Sequence, residues 1–316
     1  MSDEEQYTKT VELSRDDSGI PGARFVDPRV LARIGNLELV ARFVVEGFIS
    51  GLHRSPHLGF STDFAEHRAY MPGDDIRHMD WRLYARTDRF YLKEFEADTN
   101  TNFLIILDVS KSMGYGSGEV TKLDYAKFVA ACLAYFSSRQ RDRVGLATID
   151  RDIVEYVPPS AKHLYQVLYA LERARAEGVG SMGTPLLKIS ESARRRSILL
   201  LLSDLYESPH AIRDAVGPLR DAGHDVVVMH ILDPAELNFP FDSAATFEDL
   251  ENKERLPIVP GRLRARYTEL IREHRETIEA LLGEGRVDYL LVDTSKPVDA
   301  LLFDFLVRRE RMRTVR

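Results

Sequence analysis

Short apolar runs at 103–107, 144–149, 198–203, 225–231 and 287–292, each followed by a helical pattern, constrain this chain of 316 residues more than any other feature. They are rich in Val, Ile and Leu, as strands buried on both faces are. Amphipathic patterns at roughly 121–138, 160–176, 184–195, 209–222, 262–283 and 297–312 predict helices between them. In the first of these, Tyr125, Val129, Cys132, Leu133 and Phe136 share one face. Strands alternating with helices require right-handed crossovers, hence an α/β fold with a mostly parallel sheet covered on both faces. Ile153 to Val157 departs from the pattern. It follows the second strand after a short Asp150-Arg151-Asp152 turn and meets Pro158-Pro159, so it reads as an antiparallel edge strand ended by proline.

Upstream, Val30, Ile34, Leu37, Val40, Val44 and Phe48 recur at helical spacing over about 28–50, and short alternations at 60–70 and 90–96 suit strands. The stretch 233–261 interrupts the alternation, with Thr246–Glu251 and Arg255–Val259 flanking Asn252-Lys253 as a hairpin insertion. The expected organisation is a disordered acidic tail over 1–27, an extension of helix and short strands over 28–100, and an α/β domain over 101–312.

Composition narrows the partners. With 43 Lys and Arg against 50 Asp and Glu, the formal charge is −7, and nucleic acid is not an expected partner. The one cysteine, Cys132, cannot form an internal disulfide, fits a reducing compartment and reads as a small buried hydrophobe. Residues 37–52 are interrupted by Glu38, Arg42, Glu46 and two glycines, too polar to span a bilayer comfortably. Membrane insertion is therefore not expected, and a cytoplasmic location is.

The first strand runs straight into Asp108-Val109-Ser110-Lys111-Ser112-Met113. This D-x-S-x-S spacing sets one carboxylate and two hydroxyls at alternate residues where a buried strand gives way to a loop. Such hard oxygen donors carry little charge and suit magnesium with a coordination position left open. Ligands of open parallel sheets bind beyond the carboxyl ends of the strands. Thr184, in the Gly183-Thr184-Pro185 helix start, and Asp204, after the strand ending in Ser203, fall at such ends. The five side chains can converge on one face; the competing reading is that they cap a turn and a helix start.

Other motifs fit less well. Gly114-Tyr115-Gly116-Ser117-Gly118 is spaced G-x-G-x-G, unlike a dinucleotide fingerprint, and reads as a flexible loop. A haloacid dehalogenase-type phosphatase needs a second Asp where Ser110 stands. His53 and His57 flank Pro56, which spoils the helix a zinc pair would need. The segment 68–86 concentrates Arg68, Asp74, Asp75, Arg77, Asp80, Trp81 and Arg86 with further charges. Interleaved opposite charges and aromatics favour an Arg–carboxylate clamp, with a partner-binding surface as the alternative.

Asp108, Ser110, Ser112, Thr184 and Asp204 together resemble the metal-ion-dependent adhesion site of von Willebrand factor A domains. The resemblance implies a von Willebrand factor A-like, Rossmann-like sheet. It also implies hydroxyl ligation by Ser110, Ser112 and Thr184, with Asp108 and Asp204 binding directly or through water. Magnesium is the implied ion, with manganese or calcium as alternatives, and a partner's carboxylate the implied sixth ligand. The pattern R-x-Y-x-x-G-D-D-x-R-x-x-D-W-x-x-x-A-R over 68–86, followed by L-D-x-S-x-S-M, is similar to bacterial domain-of-unknown-function family 58. His53-Arg54-Ser55, His230-Ile231-Leu232-Asp233-Pro234-Ala235-Glu236 and Phe239-Pro240-Phe241 extend that similarity. Family 58 proteins are often paired with MoxR-type AAA+ ATPases, which implies a non-enzymatic adaptor for assembling or maturing a client protein complex. A metal-dependent phosphoester hydrolase and a structural interaction domain without metal, using the Arg/Trp segment or the basic tail with Arg308, Arg309, Arg311, Arg313 and Arg316, are the alternatives.

Overall fold

The computed structural model describes residues 26–52, 66–69, 90–94, 101–193, 195–243, 245–248, 250 and 255–314. Its centre is a sheet of six strands: β3 (Asn102–Asp108), β4 (Arg143–Ile149), β5 (Ile153–Ser160), β6 (Ser197–Ser203), β7 (Asp225–Leu232) and β10 (Asp288–Asp293). Their spatial order is β10-β7-β6-β3-β4-β5, parallel except for β5, which pairs antiparallel with β4. Counted along the chain this is the 3-2-1-4-5-6 order of doubly wound sheets. It is the arrangement that the von Willebrand factor A resemblance implies.

Alternation along β3 explains why both faces are covered. Phe103, Ile105 and Leu107 enter one core with α2 (Leu37–Leu52), α3 (Lys122–Arg139), α4 (Leu164–Arg173) and α9 (Val298–Thr314). Leu104 and Ile106 enter the other, with α5 (Gly183–Ser192), α6 (Pro209–Asp221) and α8 (Pro260–Glu284). Removing this much apolar side chain from water supplies the main favourable term in folding. α3 lies between the sheet and α2, so nearly all its faces are buried. Cys132 is buried there, and desolvation pushes its thiol up, as a small hydrophobe rather than a reactive nucleophile requires.

Two local expectations are corrected. The single helix over 28–50 is two, α1 (Pro28–Ile34) and α2. Gly35 adopts a left-handed φ of +67° that ends α1, and Asn36 Oδ1 accepts the Leu39 N–H at 3.0 Å to start α2. Both helices join the main core through Leu31, Val40, Ala41, Val44 and Val45. β5 also does not stop at its prolines; it continues through Pro158 and Pro159 to Ser160. Its register against β4 shifts between Val144 and Leu146, and prolines are tolerated on an edge strand at such a bulge.

The expected hairpin insertion is present as β8 (Ala245–Glu248) paired antiparallel with β9 (Arg255–Ile258). It follows the short α7 (Pro234–Asn238), and Phe239 packs on Phe247 and Tyr267 at centroid distances of 5.7 and 4.6 Å. Upstream, β1 (Glu66–Ala69) and β2 (Tyr91–Glu94) form a separate antiparallel pair. Among the described residues, no helix is long and apolar enough to cross a membrane.

Gly145 makes the β5 bulge compact: a Cβ there would lie 2.7 Å from both Pro159 N and Val157 O. Gly145→Ala should push the edge strand outward and cost about 1–3 kcal/mol, by analogy with overpacking. Urea unfolding checks this, and an unchanged midpoint would show that the edge strand is not held at this point.

Candidate functional site at the strand tips

β3 and β6 are neighbours paired from Asn102↔Ser197 to Leu107↔Leu202. The chain leaves their carboxyl ends in opposite directions, α3 leading toward β4 and α6 toward β7. A crevice at that switch point follows from the topology. Asp108 closes β3 there, 5% exposed. Its Oδ1 accepts the Ser110 N–H at 2.8 Å, and its Oδ2 accepts the Ser203 hydroxyl at 2.6 Å across the strand pair. Ser110 Oγ and Ser112 Oγ lie 3.0 Å apart, Ser112 being on a short 3-10 turn (Lys111–Gly114).

Among the described residues, no cationic side chain donates a hydrogen bond to Asp108. Desolvation first, and then the neighbouring Asp204 carboxylate, raise the Asp108 pKa to about 6, against the lowering effect of the Ser203 and Ser110 hydrogen bonds. Asp204 is in a different position. Its Oδ2 accepts from Lys122 Nζ at 2.8 Å, while Lys122 also reaches Glu236 Oε1 at 2.7 Å. Burial pulls the Lys122 ammonium down, but Asp204 and Glu236 more than offset this and the net shift is upward. Glu236 is itself fixed, because its Oε2 accepts the Asp233 N–H at 2.8 Å in the capping box of α7. Nearby His230, in register with Ser203, is held down to about 3, chiefly by desolvation. It is therefore neutral and adds no charge here.

The backbone after Asp204 is strained. Buried Leu205 takes a left-handed φ of +51°, costly for a side chain branched beyond Cβ. Two contacts hold it: Leu205 N donates to Ser203 Oγ at 3.1 Å, and the Leu205 carbonyl lies 3.0 Å from His274 Nε2. Ser203 thus ties the strained turn and Asp108 together.

The loop before α5 belongs to the same end of the sheet. Gly178 bridges to Ser110, with Lys111 N donating to Gly178 O at 2.8 Å. Only glycine fits, since a Cβ at 178 would fall 2.4 Å from Asp150 Cβ. Met182 N donates to Glu207 Oε1 at 2.7 Å, linking this loop to the turn after Asp204. Thr184 follows in the first turn of α5, exposed, and among the described residues no hydrogen bond joins it to the other four.

Four of the five sequence-selected residues are therefore brought together, and Thr184, exposed in the first turn of α5, makes no described contact with them. The glycine segment 114–118 is tied down rather than free: Ser117 N donates to Asp233 Oδ2 at 2.9 Å and Lys122 N to Tyr115 O at 2.8 Å. In the Arg/Trp segment, Arg68 lies in β1 opposite Leu92. Asp74, Asp75, Arg77, Asp80, Trp81 and Arg86, like His53 and His57, lie outside the described residues. Lys122, Ser203 and Glu236 were not singled out from sequence. A signal for Lys122 existed: a lysine as the first residue of a mostly apolar helix opposes the helix dipole and needs anionic partners.

These residues fit a small divalent cation. Ser110 and Ser112 share a hydrogen bond at 3.0 Å, a separation that two oxygens on adjacent vertices of a magnesium octahedron, about 2.8–3.0 Å apart, could keep. Asp108 provides a buried carboxylate with no hydrogen bond from a cationic side chain. Among the described residues no cluster of three or more His, Cys, Asp or Glu side chains could hold a metal, so any site here depends on hydroxyl donors.

The same electrostatics fixes a pH dependence. A raised carboxylate pKa favours the folded state below the unfolded value near 4, and that contribution is lost as pH rises through about 6. Asp108→Asn in chelator should therefore raise stability at pH 7.5 by on the order of 2 kcal/mol, the difference closing below pH 4. Denaturant melts at both pH values check it; a variant less stable at pH 7.5 would contradict the assigned strain.

Two mycobacterial proteins, from Mycobacterium tuberculosis and Mycobacterium bovis, both described as uncharacterized, are 27% identical over 233 residues, 72% of this chain and 72% of each of theirs. Similar solved structures include BatB from Bacteroides thetaiotaomicron, at 14% identity and TM-score 0.44, covering 67% of this chain and 99% of that one. Another is the SpRpn10 VWA domain, at 12% identity and TM-score 0.40, covering 64% and 93%. At these scores the fold class rests on the strand order and register described above. Residues 66–277 match the family described as "Protein of unknown function DUF58", and the chain belongs to that family.

Proposed function

We propose that this chain is a metal-dependent protein–protein interaction module that grips a partner's carboxylate through a magnesium ion at the β3–β6 switch point. The observation that carries this reading is the Ser110–Ser112 hydroxyl pair, 3.0 Å apart, beside a buried Asp108. When bound, magnesium would supply a Lewis-acidic position open to an Asp or Glu of the partner.

The protein's own residues do the rest. Ser110 and Ser112 present lone pairs from neutral oxygens, which cancel little of the ion's charge. Asp108 fixes Ser110 through its backbone N–H, and Ser203 fixes Asp108. Asp204 offers Oδ1, directly or through a water, because only its Oδ2 is engaged by Lys122. Thr184 is exposed in the first turn of α5, and in this reading a docking partner would bring α5 inward to complete the set. A role as adaptor to a MoxR-type AAA+ ATPase and a client protein belongs to this proposal and is drawn from the family resemblance. The Arg/Trp segment, Arg68 to Arg86, is a second candidate contact surface in it.

Calorimetric titration with magnesium and manganese tests the reading. Asp108→Ala and Ser112→Ala should each weaken binding about tenfold or more, roughly 1.4 kcal/mol. Affinity equal to that of the unsubstituted protein in both variants would contradict it. Phosphoester turnover abolished by Asp204→Ala would replace it with a hydrolase.

A further inference from the structure

We propose that Lys122 sets the cation affinity of the strand-tip site, by sharing Asp204 with the ion and keeping the pocket from being over-negative. This inference rests on the magnesium reading above. Lys122 is fully buried, with Nζ between Asp204 Oδ2 at 2.8 Å and Glu236 Oε1 at 2.7 Å. It makes no hydrogen bond to Asp108, Ser110 or Ser112, so its ammonium does not stand in for the ion they would hold. Instead it takes one oxygen of Asp204 and leaves the other.

Its position is fixed from several sides. The Tyr206 ring lies 4.7 Å from Nζ and the Tyr115 ring 5.8 Å, both within cation–π reach. Glu236 cannot follow a moving lysine without opening the α7 capping box. Asp204 is equally constrained by the strained Leu205 turn behind it.

The charge balance follows. Asp108, Asp204 and Glu236 bring three carboxylates into one buried region and Lys122 brings one ammonium. The balance stays negative, the more so with buried Asp233 beside Glu236, and Lys122 offsets one of these charges at Asp204. Without the ammonium, Asp204 would offer the ion an unshared carboxylate, and the ion would bind more tightly and attract a partner's carboxylate less. With Glu236 neutralised, the lysine's charge would fall more fully on Asp204, and the ion would bind less tightly. A residue that merely props Asp204 in place would not produce opposite effects.

The test titrates manganese into the full chain, following the free-ion paramagnetic resonance signal at fixed pH, with circular dichroism to verify folding. Lys122→Met should tighten binding about tenfold and Glu236→Gln should weaken it about threefold or more, as expected for charge changes at buried sites. Weaker or equal binding in folded Lys122→Met would overturn the proposal and leave Lys122 a structural prop. If Lys122→Met does not fold, Glu236→Gln decides alone, and unchanged or tighter binding overturns the proposal. Failure of the unsubstituted protein to bind manganese would remove the magnesium reading itself, a result distinct from binding that the variants leave unmoved.

Discussion

The parallel pairing of β3 with β6 is the constraint on which the rest of the site depends. It sets Asp108 beside Ser203, 95 residues later in the chain, and the 2.6 Å hydrogen bond between them closes the crevice floor. Helices leave these two strands toward opposite edges of the sheet, and each crossover sends a side chain back to the site, Lys122 from one and Tyr206 from the other. A carboxylate in such a place is costly unless compensated. The fold therefore creates both the opening and the electrostatic demand for something to enter it.

How that demand is met divides the site in two. On the Asp204 side, Lys122 supplies a buried ammonium, braced by Glu236 and two tyrosine rings. Buried ion pairs of this kind contribute little net stability, since desolvation offsets much of the Coulomb attraction. Their consequence here is positional: Asp204 is held with one oxygen spoken for. On the Asp108 side, among the described residues, the hydrogen bonds come from hydroxyl and amide donors, and desolvation with the Asp204 charge outweighs them and raises the carboxylate pKa. In the proposed reading, a small hard cation is what this combination of fold, charge and donors would hold.

Much of this was legible in the sequence, for reasons that also mark where legibility stops. The apolar runs at 144–149 and 198–203 differ from β4 and β6 by a residue, because doubly buried strands are compositionally distinct. Asp108, Ser110 and Ser112 could be read together because they are local. Asp204 could be added because a strand's end is visible as a loss of apolar character. The partners of Ser203, Lys122 and Glu236 could not, since these contacts run 82 to 114 residues apart; for Lys122 the sequence shows only that a lysine opening an apolar helix needs an anion. The helix break at Gly35 went unseen because apolar spacing runs on across it, and only its positive φ ends the helix. Pro158 and Pro159 were read as a stop, whereas the Gly145 gap lets an edge strand carry them through a bulge.

In the proposed reading, a divalent ion would sit on the Ser110–Ser112 edge and leave the Lys122–Asp204 pair intact. Anomalous scattering from crystals grown with manganese tests this most directly. The account predicts one strong peak about 2.1–2.2 Å from both serine hydroxyl oxygens, with Lys122 Nζ still bonded to Asp204 Oδ2. No peak at that position in manganese-saturated crystals, or a peak that displaces Lys122 from Asp204, would contradict it.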